Sequence, residues 1–231
     1  MQRRQVFVTL GWPMVLPLGL SLPATARAAA DPGDCWFIFL ETGRKTPDDP
    51  PAVAAMQRGH IANFKRLFAL GRLLAAGPMA DPAGLKRGIV VVRAGSMAEL
   101  MGYFQPDDYV REGYMRVNAV PALARQPLHT EGIDATRVEE GRIVLIGRPD
   151  AAPDASSARA QQALLQALVD RGTVGAWYTL AAGPVAELLL ARGTDTPALE
   201  AALAPYARLA GPDASLAIWR QWLSPGVVGP R

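Results

Sequence analysis

The chain has 231 residues, 50% hydrophobic and 19% charged, a globular composition with room for one large domain or two small ones. A single cysteine, Cys35, excludes an intrachain disulfide, and two histidines beside it exclude a Cys/His metal cluster. The net charge of +3 comes from the first residues: without Arg3, Arg4 and Arg27 the 24 basic residues fall to 21, equal to the 21 acids, which argues against a phosphate-backbone binder.

Those first residues read as a secretory signal peptide spanning 1–28. Arg3 and Arg4 form a basic start, an apolar run follows from Val6 to Leu22, and Ala26-Arg27-Ala28 is a small-x-small cleavage pattern. The run is short and broken by Pro13 and Pro17, so a stable membrane anchor is not expected. The expectation is export, with a periplasmic mature protein.

The mature chain opens with a strand over Trp36–Glu41 that begins at Cys35, read as a buried strand residue. Asp49 and Pro50 then supply a helix cap and first turn. The helix runs from about Pro51 to Leu70 and stops at Gly71. On a 3.6-residue period Met56, His60, Phe64 and Leu67 share one face. His60 is the one group on that apolar stripe with acid–base capacity near neutral pH; a core histidine with satisfied nitrogens is the competing reading. Gly59, just before it, costs roughly 1 kcal/mol in a helix and leaves room for a backbone or ligand to approach.

Short strands follow at Leu73–Ala76 and Gly88–Arg93, the second with the β-branched run Ile89-Val90-Val91-Val92 of a strand covered on both faces. Ser96 and Glu99 form a capping box for a helix from Met97 to about Phe104. A polar turn, Gln105–Val110, leads to a closing strand at Tyr114–Val120. The order β-α-β-β-α-β is the ferredoxin-like arrangement. After a polar linker at 128–141 the order recurs: strand Arg142–Ile146, helix Ala158–Arg171, strands Val174–Leu180 and Val185–Ala191, helix Thr196 to about Tyr206, strand Ser215–Leu223. The halves overlay at a shift of about 101 residues, which puts Gln161 on His60 and Gly172 on Gly71. The position of Asp107 falls on Pro205 or Tyr206. Duplication is expected, with residues 29–127 and 142–231 as the two repeats. A lone repeat would expose the helix-free face of its sheet, so the two should pack as an intramolecular pseudo-dimer, an α+β barrel.

The first repeat resembles the YCII-like family of the dimeric α+β barrel superfamily. The resemblance rests on Phe37-Ile38-Phe39-Leu40, Gly59-His60, Leu73–Pro78, the strand after Gly88, and Asp107-Asp108-Tyr109-Val110 followed by Gly113, and covers roughly residues 35–122. The family usually has proline where Asp108 stands. The second repeat matches only in pattern. The resemblance implies a catalytic pair, His60 and Asp107; Gly77 and Tyr109 are the candidate binding positions, and since the overlay puts Gln161 and Pro205 or Tyr206 in place of the pair, only the first repeat is expected to be active. No cofactor and no metal are expected. Through relatives such as chloromuconolactone dehalogenases, the resemblance implies a lyase, isomerase or dehalogenase acting on a small organic molecule. A non-catalytic binding protein and a purely structural barrel are the competing readings, and further self-association is compatible with either.

Overall fold

The computed structural model describes residues 34–211 and 214–229; the expected signal peptide lies outside them. The described chain is a mixed α/β fold of eight antiparallel strands and five helices. In order these are β1 (Cys35–Thr42), α1 (Pro50–Ala69), β2 (Leu73–Pro78), β3 (Lys86–Arg93), α2 (Met97–Tyr103), α3 (Asp108–Arg111) and β4 (Met115–Gln126), then β5 (Glu139–Gly147), α4 (Ala155–Asp170), β6 (Val174–Leu180), β7 (Val185–Ala191), α5 (Thr196–Ala210) and β8 (Leu216–Leu223). The strands form one sheet in the order β2-β3-β1-β4-β6-β7-β5-β8. It curls almost into a barrel. The β4–β6 junction is a ladder from Ala122↔Leu180 to Gln126↔Trp177. The β2–β8 edges meet at the bridge Met79↔Gln221, beside which Ala80 N donates to Arg220 O at 2.9 Å.

Alternation along the strands sorts the apolar side chains into three layers. Phe37, Phe39, Ile89 and Val91 face the barrel interior, where they meet Ile143, Leu145, Tyr178, Leu188 and Leu190. The Phe37 and Tyr178 rings lie 5.9 Å apart, so the apolar faces of the two halves cover each other. Outside, Ile38, Leu40, Val90 and Val92 pack against Leu67 of α1 and Leu100 of α2. Val144, Ile146 and Leu189 likewise pack against Leu165 and Leu168 of α4 and Leu199 and Leu203 of α5. Burial on both faces is why the central strands read as unbroken apolar runs. Cys35 packs against the interior cluster, and burial pushes its thiol up to about 11.

The helix starts follow their caps. Asp49 accepts from Ala52 N at 3.1 Å, Asp154 from Ser156 N at 2.8 Å, and Asp195 from Ala198 N at 3.0 Å. Gly71 and Gly172 end α1 and α4 with φ of 67° and 73°, a region that only glycine enters at little cost. Ser96 accepts from Glu99 N at 3.1 Å, but Glu99 reaches back to Gly95 N at 2.8 Å, one residue beyond the reciprocal capping-box contact.

Several boundaries differ from the sequence expectation. β4 continues to Gln126 because β6 offers it a second partner strand. β5 begins at Glu139, pairing with Leu223 of β8, so 139–141 are strand and not linker. The remaining connection is tied down: Leu128 is buried in the barrel cluster, and His129 N donates to Val227 O at 2.9 Å. α5 runs through Pro205 to Ala210, and the second half of the expected polar turn Gln105–Val110 falls in the one-turn helix α3.

The ladders of the two halves also coincide. The β1–β3 register shifts between Leu40 and Glu41, and β5–β7 between Ile146 and Gly147. β2–β3 shifts between Leu73 and Ala75, and β6–β7 between Val174 and Ala176. Gly88 and Glu187 therefore hold the same ladder position, as do Pro78 and Thr179, and Ala76 and Trp177.

Candidate functional site

The buried stripe of α1 is Met56, His60, Asn63 and Leu67. Phe64, expected on it, is half-buried and lies against the His60 ring with centroids 4.4 Å apart. Asn63 takes the inner position because α2 ends there: its Nδ2 donates to Tyr103 O at 2.9 Å, while its Oδ1 accepts from Arg66 Nη2 at 2.8 Å. Periodicity alone did not find Asn63, since a polar residue beside an apolar stripe is ordinarily assigned to solvent.

α3 brings Asp107 to His60. Asp107 caps that short helix through Oδ1, which accepts from Tyr109 N at 3.1 Å. Its other oxygen, Oδ2, lies 2.6 Å from His60 Nδ1. Asp107 has no exposed surface and His60 keeps 7%. The sequence-expected pair is thus in direct contact, 47 residues apart in the chain. The Tyr109 ring stands edge-on to the imidazole at 5.7 Å, and its hydroxyl reaches Val53 O at 3.4 Å. With Nδ1–H donating to the carboxylate, the Nε2 lone pair is the free basic position, and no hydrogen bond to it occurs among the described residues. A buried carboxylate at one nitrogen fixes the tautomer and supports positive charge on the ring when the other takes a proton.

Gly59 and Gly77 have different neighbours from those expected. A Cβ on Gly59 would stand an ordinary 3.7 Å from Asp108 Oδ2, so the space beside it belongs to α3. Gly77 lies at the β2–β8 seam, where a Cβ would fall 1.8 Å from Trp222 O. The close approach there is from backbone.

A cavity of about 590 Å³ opens in the second half, between the sheet and α4–α5. Gln161, the position overlaid on His60, lines it, and so does Tyr206, one of the two positions overlaid on Asp107. So does Glu187, which sequence reading passed over. Trp177 Nε1 donates to Glu187 Oε2 at 2.6 Å, and Thr179 Oγ1 donates to the same oxygen at 2.9 Å. Burial raises the Glu187 carboxyl above its ordinary range, against the pull of those two donors. Burial, and then the charge of Glu187, raise the Tyr206 phenol. The available signal was a lone carboxylate inside an apolar strand. Among the described residues no group of three or more His, Cys, Asp and Glu side chains is placed to hold a metal, and no helix is long and apolar enough to cross a membrane.

No family model matches the chain, and no curated protein matches it. Solved structures do. A mutant chlorite dismutase from Candidatus Nitrospira defluvii, in complex with cyanide, superposes with a TM-score of 0.52 at 14% identity, over 83% of this chain and 91% of that one. A candidate monooxygenase from Lactobacillus acidophilus NCFM superposes with a TM-score of 0.50 at 10% identity, over 82% and 93%. Both are dimeric α+β barrel proteins, and at these identities the likeness establishes that fold.

Proposed function

We propose that the chain is an exported, internally duplicated barrel of the YCII-like type, whose first half processes a small organic molecule with His60 as general base and Asp107 as its orienting carboxylate. The 2.6 Å contact between His60 Nδ1 and the fully buried Asp107 carries this reading. The matched ladder shifts of the two halves support duplication, and the basic start and small-x-small site support export. For a chlorinated ring lactone the step would be an elimination. His60 Nε2 takes a proton from the carbon next to the one bearing chlorine, the C–H electron pair forms the double bond, and chloride leaves. The imidazolium then rests on Asp107. General acid–base groups contribute about 10²–10⁴-fold.

Chloride release from small chlorolactones is the test. The wild type should release chloride, and His60→Gln should lose that activity by about 10²–10⁴-fold, a loss far larger than the accompanying change in thermal stability. Equal release by the two proteins, or none by the wild type, overturns the elimination. A second reading, a binding protein without catalysis, is favoured by the cavity beside Gln161 and Tyr206. It predicts ligand binding with no chloride release from any lactone.

A further inference from the structure

We infer that the cavity of the second half is a second small-molecule site, separate from His60, that takes a neutral and mainly apolar molecule through a hydroxyl donated to Glu187. Four observations carry this.

First, about 590 Å³ lies within the range that accommodates a small organic ligand. Second, the walls are apolar, with Ile146, Leu165, Leu209 and Pro149 among them, while polar groups gather at a few points. Third, Glu187 is held but not saturated. Its donors are one indole and one hydroxyl, both neutral, so an ionised carboxylate there keeps acceptor capacity that a ligand O–H can use. Fourth, this polar base is built only in the second half. At the same ladder positions the first half has Ala76, Pro78 and Gly88 in place of Trp177, Thr179 and Glu187.

Charge selects against ions. Arg148 also lines the cavity. Its Nε donates to Gly183 O at 2.9 Å and its Nη2 to Leu180 O at 2.6 Å, which anchors its positive charge beside the turn after β6. Arg148 and Arg125 stand near enough to Glu187 to oppose the effect of burial on its carboxyl, so opposite charges already balance there and a neutral molecule leaves that balance undisturbed. Gln161 and Gln162 offer amides to a second polar group on the ligand. Burial and the charge of Glu187 both keep the Tyr206 phenol protonated, so the cavity wall holds a hydroxyl and not a second anion.

The test uses 2-naphthol as probe, with 2-methoxynaphthalene (no donor) and 2-naphthoate (an anion) as comparators, in calorimetry and in ¹H–¹⁵N spectra of the indole groups. The Trp177 signal is assigned from Trp177→Phe. 2-Naphthol should bind, shift the Trp177 indole signal, and bind about tenfold more tightly than either comparator, the worth of one hydrogen bond to a charged acceptor. Glu187→Leu should abolish the preference for naphthol over its methyl ether. Because that variant strands Trp177 and Thr179, Ala158→Trp serves beside it. It fills the cavity from α4, leaves the Glu187 contacts intact, and should block all three probes. His60→Gln should bind 2-naphthol as the wild type does. Absence of naphthol binding, binding without a Trp177 shift, equal affinity for naphthol and its methyl ether, or loss of binding in His60→Gln but not in Ala158→Trp would each overturn the assignment.

Discussion

Two carboxylates stand out, Asp107 with no exposed surface and Glu187 half-buried, and they are held differently. Asp107 faces an imidazole and a backbone N–H; Glu187 is hydrogen-bonded only by neutral side chains, and burial raises its pKa against the pull of those donors and of the more distant Arg125 and Arg148 charges. The sign of the pH effect follows. Below the ordinary glutamate value of 4.5 the side chain is protonated in folded and unfolded chains alike and costs nothing. As pH rises through the folded value, the unfolded chain ionises first and stability is lost. Glu187→Gln, which keeps an acceptor for Trp177 without the charge, should therefore be more stable than the wild type at pH 7 and equal to it near pH 4. Urea midpoints at the two pH values measure this, and a difference that does not change with pH would refute it. His60 was legible because 3.6-residue spacing isolates one titratable group on an apolar face. Asp107 was legible only through the family resemblance, since nothing local ties residue 107 to residue 60. Glu187 was not legible as a site residue, because a period-2 reading of a strand covered on both faces leaves no polar side to mark.

At the scale of elements, local chemistry set most boundaries. β6 and β7 fall where the apolar runs predict, and the Asp caps start α1, α4 and α5. The misses are long-range. β4 gains its last residues from pairing with β6, and α5 continues past Pro205, giving up one backbone hydrogen bond while it buries Tyr206 on the sheet. Gly77 belongs here too. Sequence made it a ligand contact, and the fold sets it beneath Trp222 O. Gly77→Ala must push β2 away from β8, so it should cost on the order of 1–3 kcal/mol of stability, as overpacking does. The same substitution at Gly59, with 3.7 Å of clearance, should be neutral or stabilising. Thermal melts of the two variants make the comparison, and equal effects would remove the steric argument.

For the whole molecule, the barrel interior is the shared possession of both halves. Phe37, Phe39, Ile89 and Val91 share their cluster with Tyr178, Leu188 and Leu190 of the other half, and among the described residues no helix contributes to it. Residues 29–128 expressed alone should accordingly self-associate or aggregate, with a size-exclusion profile that depends on concentration. A monodisperse, folded monomer at every concentration would count against mutual cover. The pairing of the two faces could be argued from sequence because each half spells out one helix-free apolar sheet. Closure of the ring could not, because the β4–β6 ladder joins strands across a connection whose anchoring to residues 225 and 227 has no local signature.

The ring is fastened unequally around its circumference. One junction is a laddered hem, the other a single button at Met79 and Gln221. Opening free energies differ across a structure according to how many bonds must part together, so thermal breathing of this barrel has a direction: it gapes at the button and swings about the hem. The side chains that first meet water are then those behind the button, Met79 of one half and Leu223 of the other. His60, on α1, and Glu187, on β7 beneath α4 and α5, both lie on the outer side of the ring, away from its interior. Opening at the button is thus expected to leave the geometry at either carboxylate in place.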